Sequence, residues 1–80
     1  MKITFTRHVL LRMKERKISK KLVVEAIIDP ELVKKQGRYV SFYKRTNKVI
    51  FIRVIAIISE ETTHIITSYF IKESRFRKIQ

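Results

Sequence analysis

The stretch from Lys48 to Ser59, KVIFIRVIAIIS, is the longest apolar run in the chain and carries one charge, Arg53, in its middle. Valine, isoleucine and phenylalanine dominate it, and β-branched residues favour the extended backbone. The run therefore predicts the central strand of a small sheet, covered on both faces. A membrane helix needs roughly 18–20 apolar residues, so this segment is too short to span and no membrane association is expected. Arg53 sets the question for the whole molecule. Either it points into a functional groove, or it reaches a sheet edge and does nothing specific.

The segments on either side supply the rest of the sheet and its cover. Lys2 to Phe5 alternate polar and apolar and read as a short edge strand, with Thr6 as the N-cap of a first helix. Arg7 to Lys17 reads as that helix, because Val9 and Met13 are four apart and Leu10 widens their stripe. At about 100° per residue, His8, Arg12 and Arg16 fall in one row along the border of that stripe, each within reach of the next. The row is either a functional feature or two arginine stems laid over the core edge. Ser19 caps a second helix in which Leu22, Val23, Ala26 and Ile27 keep helical spacing. Asp29-Pro30 ends it, since the residue before proline is pushed out of the α region.

From Glu31 the pattern turns to β. Glu31 to Lys35 reads as a weak strand or connector, and Gln36-Gly37 as a turn. Arg38 to Lys44 places Val40 and Phe42 on one face and Tyr39, Ser41 and Tyr43 on the other. Arg45-Thr46-Asn47 is a short turn into the central strand. A polar turn at Glu60-Glu61-Thr62 leads to a strand from Thr63 to Ile71, where Ile65, Thr67, Tyr69 and Ile71 share a face. The tail, KESRFRKIQ, is basic with one embedded phenylalanine. The expected architecture is one α+β domain over residues 1–80, ordered β-α-α-β-β-β, with a helix hairpin packed on an antiparallel sheet. The face away from the hairpin would carry Tyr39, Ser41 and Tyr43. Whether Arg53, Thr67 and Tyr69 join them depends on register, which the sequence leaves open.

Eighty residues supply one modest core, so the chain is expected as a monomer or a homodimer. The formal net charge of +12 is concentrated toward the two ends, around an uncharged middle. Such a field draws RNA or DNA, or equally an acidic protein; a merely lysine-rich surface is the third reading. The absence of cysteine removes disulfides, thiolate catalysis and thiolate metal sites. The N-terminus lacks the apolar core of a signal peptide, so a soluble cytoplasmic protein is expected.

The available chemistry is narrow. The chain has one glycine, Gly37, and so no glycine-rich phosphate loop. His8 and His64 lie far apart in sequence without a third ligand type nearby, so neither a metal nor any other cofactor is expected. Arginine, lysine, tyrosine and histidine remain. They suit metal-independent RNA cleavage, with histidine or tyrosine as acid or base and arginine holding the transition-state charge. The same types on a sheet also bind single-stranded RNA without cutting it.

The first helix resembles a known family. His8-x-x-x-Arg12-Met13-x-Glu15-Arg16-x-Ile18-Ser19, followed by Asp29-Pro30, is similar to the H-x-x-x-R-M-x-E-R-x-I-S … N-P signature of a widespread prokaryotic domain of unknown function. A weaker likeness continues through Arg53 and Ile65-Ile66-Thr67-x-Tyr69. That family resembles the RelE/ParE toxin superfamily and its BrnT relatives, small basic proteins of which several are ribonucleases held in check by an acidic antitoxin. The resemblance implies a sheet groove that accepts RNA, on or off the ribosome. It favours His8 and Arg12 as site residues and offers Arg53, Tyr69 and Arg75 or Arg77 as counterparts of that superfamily's catalytic cations and tyrosine. Together with the residue chemistry above, the catalytic candidates are His8, Arg12, Arg53 and Tyr69, with Arg16, Lys44, Arg45, Thr67, Arg75 and Arg77 expected to hold nucleic acid. The sequence departs from the signature where Lys17 replaces the usual glycine after the helix and Asp29 the usual asparagine. Lys17 requires either a different turn or a strained left-handed residue costing about 1 kcal/mol.

Overall fold

The structure is a computed structural model that describes residues 1–80. Its elements are β1 (Lys2–Phe5), α1 (Arg7–Glu15), α2 (Lys20–Ile28), β2 (Leu32–Gln36), β3 (Tyr39–Arg45), β4 (Ile50–Ser59), β5 (Thr62–Lys72) and α3 (Glu73–Ile79). The α+β class and the helix hairpin on a sheet are as expected. Two segments read less definitely from sequence become regular elements. The weak segment after Pro30 is strand β2, and the basic tail folds into helix α3, which extends the expected order to β-α-α-β-β-β-β-α.

The sheet has five strands in the order β1-β5-β4-β3-β2, so the apolar run does form its central strand. Strands β2 to β5 pair antiparallel as a meander, whereas β1 pairs parallel with β5, making the sheet mixed. The parallel pairing follows from connectivity, because the chain crosses through both helices and three strands before β5 meets β1. The contact is short, joining Lys2–Phe5 to Thr62–Ile65, so β5 runs on past the end of its neighbour.

Both helix caps form as their side chains dictate. The Thr6 hydroxyl accepts from the Val9 N–H at 3.1 Å and that of Ser19 from the Leu22 N–H at 3.1 Å. Helix α1 closes by the strained alternative. Lys17 takes φ +59°, the Ile18 N–H donates to the Met13 carbonyl at 2.8 Å, and the Lys17 N–H donates to the Lys14 carbonyl at 3.1 Å. That pair of bonds is a Schellman closure, in which Met13 and Ile18 bring their side chains into the same core. A lysine there pays the left-handed cost that glycine avoids. Lys17→Gly is accordingly expected to raise stability by about 1 kcal/mol, a Tm increase of about 4–8 °C for a domain this size. A thermal melt checks this, and an unchanged or lower Tm contradicts it.

The hairpin face of the sheet holds the main core. Val9, Met13, Ile18, Val23, Ala26 and Ile27 from the helices meet Val40, Phe42, Ile52, Val54, Ala56 and Ile65 from the strands. The opposite face is only partly covered. There α3 lays Phe76 over Phe51 and Tyr43, and Ile71 completes a second, smaller cluster. The remainder of that face is open.

Candidate nucleic-acid interface

Register decides what the open face displays. Tyr43 pairs with Arg53 and Arg53 with Tyr69, so these three form one row across β3, β4 and β5. Ser41, Ile55 and Thr67 form the next row. The sequence pattern alone would put Ile65 on the same face as Thr67, but a bulge intervenes. Ile55 pairs with Thr67 and Ala56 with Ile65, which leaves Ile66 as an extra residue on β5. Ile65 therefore turns into the hairpin core while Thr67, Tyr69 and Ile71 face the other way. The bulge is what lets one strand serve both the core and the groove.

Arg53 is the centre of the open face. It is half-buried and makes no ion pair. One guanidinium nitrogen, Nη1, donates to the Tyr69 hydroxyl at 2.7 Å, and Nη2 donates to the Ser41 hydroxyl at 3.3 Å. Its Nε is buried without a partner. The guanidinium also lies 5.5 Å from the Tyr43 ring centroid and 5.8 Å from that of Tyr69. A cation withdrawn from water is usually paired with a carboxylate. Here two hydroxyls and two aromatic faces orient the charge without neutralising it. The adjoining groove, about 390 Å³, runs along Gln36, Tyr39, Ser41, Ile55 and Thr67 and has no carboxylate in its wall.

The other candidates divide into two groups. His8, Arg12 and Arg16 line a separate groove of about 300 Å³ between α1 and β5. It meets the Arg53 groove at Ile66 and Thr67, which belong to both. Arg16 is held there, with Nη1 donating to the Ser68 carbonyl at 2.8 Å and to the Thr67 hydroxyl at 3.2 Å. The Ser68 carbonyl lies on the part of β5 that β1 does not reach, so Arg16 satisfies an edge acceptor. Arg12 makes one exposed contact with Glu15 at 3.5 Å. A surface pair of that kind is worth little.

Lys44, Arg45, Arg75 and Arg77 are not brought to either groove. Lys44 is paired with Asp29 at 3.3 Å, below the end of α2. Arg45 pairs with Glu73 and stacks 4.6 Å from the Phe51 ring centroid. Arg77 reaches the same Glu73 at 3.4 Å, and Arg75 is exposed on α3. Three of these cations thus neutralise local carboxylates. The Arg45 hydrogen bond holds the Glu73 carboxyl below the usual carboxylate range. Desolvation opposes that shift, and the charges of Arg45 and Arg77 add to it.

Sequence reasoning placed Ser41 on the correct face without giving it a role; its bond to Arg53 emerges only from register. Gln36 was read only as a turn residue. The Ser68 hydroxyl, buried and without a partner, carried no sequence signal. No three histidine, cysteine, aspartate or glutamate side chains converge into a metal-binding group, and no helix is long and apolar enough to cross a membrane.

Neither the curated proteins nor the solved structures include a match to this chain. A family described as Domain of unknown function (DUF4258) matches residues 5–70, from the end of β1 through nearly all of β5. Both grooves fall within that span and α3 falls outside it. The chain belongs to the DUF4258 family.

Proposed function

We propose that this protein is an RNA-binding protein of the RelE/ParE toxin type, and that a single RNA strand lies across the open face of the sheet. The observation that carries the reading is Arg53, a half-buried guanidinium oriented by Tyr69 and Ser41 and lacking any carboxylate partner. A phosphodiester supplies the missing negative charge, and guanidinium matches phosphate in a bidentate fork. Tyr39, half-exposed beside the groove, offers a ring on which a base can stack. The net charge of +12 supplies the long-range attraction. The same basic surface suits an acidic antitoxin-type protein that would compete with RNA.

One contact favours metal-independent cleavage as a second reading, namely the 2.7 Å bond between Arg53 and the Tyr69 hydroxyl. In such a reaction a base removes the proton of the RNA 2′-hydroxyl, and the 2′-oxygen attacks phosphorus. The bond from phosphorus to the 5′-oxygen breaks, and an acid protonates that oxygen. Arg53 would hold the developing charge and Tyr69 would carry a proton. The Arg53 groove contains no histidine, so the second proton carrier would have to be His8 from the adjoining groove.

The test is fluorescence anisotropy of a labelled single-stranded RNA at several salt concentrations, with wild type beside Ile55→Glu. Binding should weaken steeply with salt. The new carboxylate would pair with Arg53 and should weaken binding by roughly tenfold or more. No binding at low salt, or full binding by the variant, rejects the reading. Incubating end-labelled RNA with chelator, beside Tyr69→Phe and His8→Ala, decides the cleavage step.

A further inference from the structure

The groove between α1 and β5 is left unexplained by a strand resting on the open face. Three groups that carry or accept positive charge line it, His8, Arg12 and Arg16, and no carboxylate does. Arg16 is fixed in place through Nη1 alone, which leaves Nη2 and Nε without protein partners. The first turn of α1 has no acidic residue to offset the positive end of the helix. Ser68 also lines the groove and is 2% exposed, with its hydroxyl unbonded. The only polar contact that the Arg12 side chain makes is the long, exposed one to Glu15.

We infer that this groove is a binding site for a phosphate monoester. Two guanidinium groups and an imidazole exceed the single negative charge of a phosphodiester. A monoester carries a charge of roughly −1.5 to −2 at neutral pH and three oxygens that arginine forks can share. The volume of about 300 Å³ is at the lower end of small-molecule pockets and suits a phosphate with its sugar. No phenylalanine, tyrosine or tryptophan lines the groove, so recognition rests on charge and shape. One source of the ligand is the terminal phosphate of an RNA, an assignment that rests on the RNA reading above. Because the grooves meet at Ile66 and Thr67, a strand anchored by its end here runs over the bulge to Arg53. The other source is a free phosphorylated small molecule.

The first measurement is a titration of the whole chain with inorganic phosphate and then phenyl phosphate, followed by amide NMR shifts. Saturable shifts at His8, Arg12, Thr67 and Ser68, lost in Arg12→Gln, are expected. Shifts that never saturate, or that spread over the whole basic surface, overturn the site. The second compares three oligoribonucleotides of one sequence, with a 5′-phosphate, a 3′-phosphate or neither. A phosphorylated end should bind roughly tenfold more tightly, the effect of about one charge-assisted hydrogen bond. That ratio should fall to one in Arg12→Gln, whose melting curve verifies folding, and a surviving ratio rejects the assignment to this groove. If phosphate binds saturably but none of the RNAs does, the site stands with a small phosphorylated ligand and the RNA reading fails. Internal RNA cleavage that disappears in His8→Ala overturns the monoester site, because the groove would then hold a scissile diester.

Discussion

Replacing Arg53 with methionine is expected to weaken RNA engagement by roughly tenfold or more while leaving the protein folded, though less stable. The variant loses two hydrogen bonds, to Tyr69 and Ser41. Bonds of that kind contribute about 1.5–3 kcal/mol when one member is charged, less where water competes. It also loses two cation–π contacts at roughly 0.5–1 kcal/mol each. Against this stands the cost of withdrawing a guanidinium from water without a counter-charge, several kcal/mol when burial is complete and a fraction of that here. Methionine restores most of the apolar contact and ends the unbonded Nε. The losses outweigh the relief of desolvation, so the unfolding free energy from urea denaturation should fall by about 1–3 kcal/mol, while RNA affinity falls by roughly tenfold or more. Any cleavage should fall about a hundred- to a thousand-fold, the loss typical of one donor to transition-state charge. Collapse of stability with RNA binding intact would make Arg53 a structural residue instead.

Phe76→Ala should have the largest effect on stability. Phe76 is buried, its ring stacks on Phe51 at 3.9 Å with 13° between planes, and it tilts against Tyr43 at 5.6 Å. Truncating such a residue costs about 3–5 kcal/mol. A domain of this length has about 4–12 kcal/mol in all. Helix α3 has seven residues and cannot persist undocked, because isolated helices this short are marginal. The expected result is loss of hydrogen-exchange protection at 73–79 and a large fall in the urea midpoint. Retained protection there would contradict the account. Acid offers a milder route to the same undocking. The Glu73 carboxyl is held below its ordinary range by Arg45, so its folded pKa lies below its unfolded one. Its stabilising contribution is then present above the ordinary carboxylate range and lost as pH falls through the lowered pKa. Protection factors at 73–79, which correct for the intrinsic slowing of amide exchange in acid, should therefore fall at acid pH, below the range where free carboxylates titrate. Glu73→Gln should abolish that dependence.

How much of this was legible depended on whether the signal was local. The caps at Thr6 and Ser19, the break at Asp29-Pro30 and the central strand follow from neighbouring residues and formed as read. The strain at Lys17 was legible as one of two outcomes, and the core contact between Met13 and Ile18 accompanies the strained one. Helix α3 was not legible, because seven residues with one buried phenylalanine carry too little periodicity, and what docks it is Phe51 and Tyr43, both distant in sequence. For the candidate site, the row His8, Arg12, Arg16 was correctly seen to share one border of α1. Its separation from Arg53 by the width of β5 could not be seen, since it depends on which strand α1 lies against. The bulge escaped for the same reason. The Ile65-Ile66 doublet interrupts the alternation along β5, but only pairing with β4 shows which residue is the extra one.

That extra residue ties the core and the groove together in a way that bears on how such a chain can change over generations. Upstream of Ile66, β5 gives Thr63 and Ile65 to the interior; downstream, it gives Thr67 and Tyr69 to the opposite face. Deleting one residue at this point would remove the offset between the two halves of the strand. Either the upstream half or the downstream half would then present its side chains to the wrong face of the sheet. No intermediate arrangement exists, because strand parity has only two values. Point substitutions can retune the groove freely, whereas a single-codon loss at Ile66 is all-or-none. Length at this position should therefore be far less tolerant than residue identity.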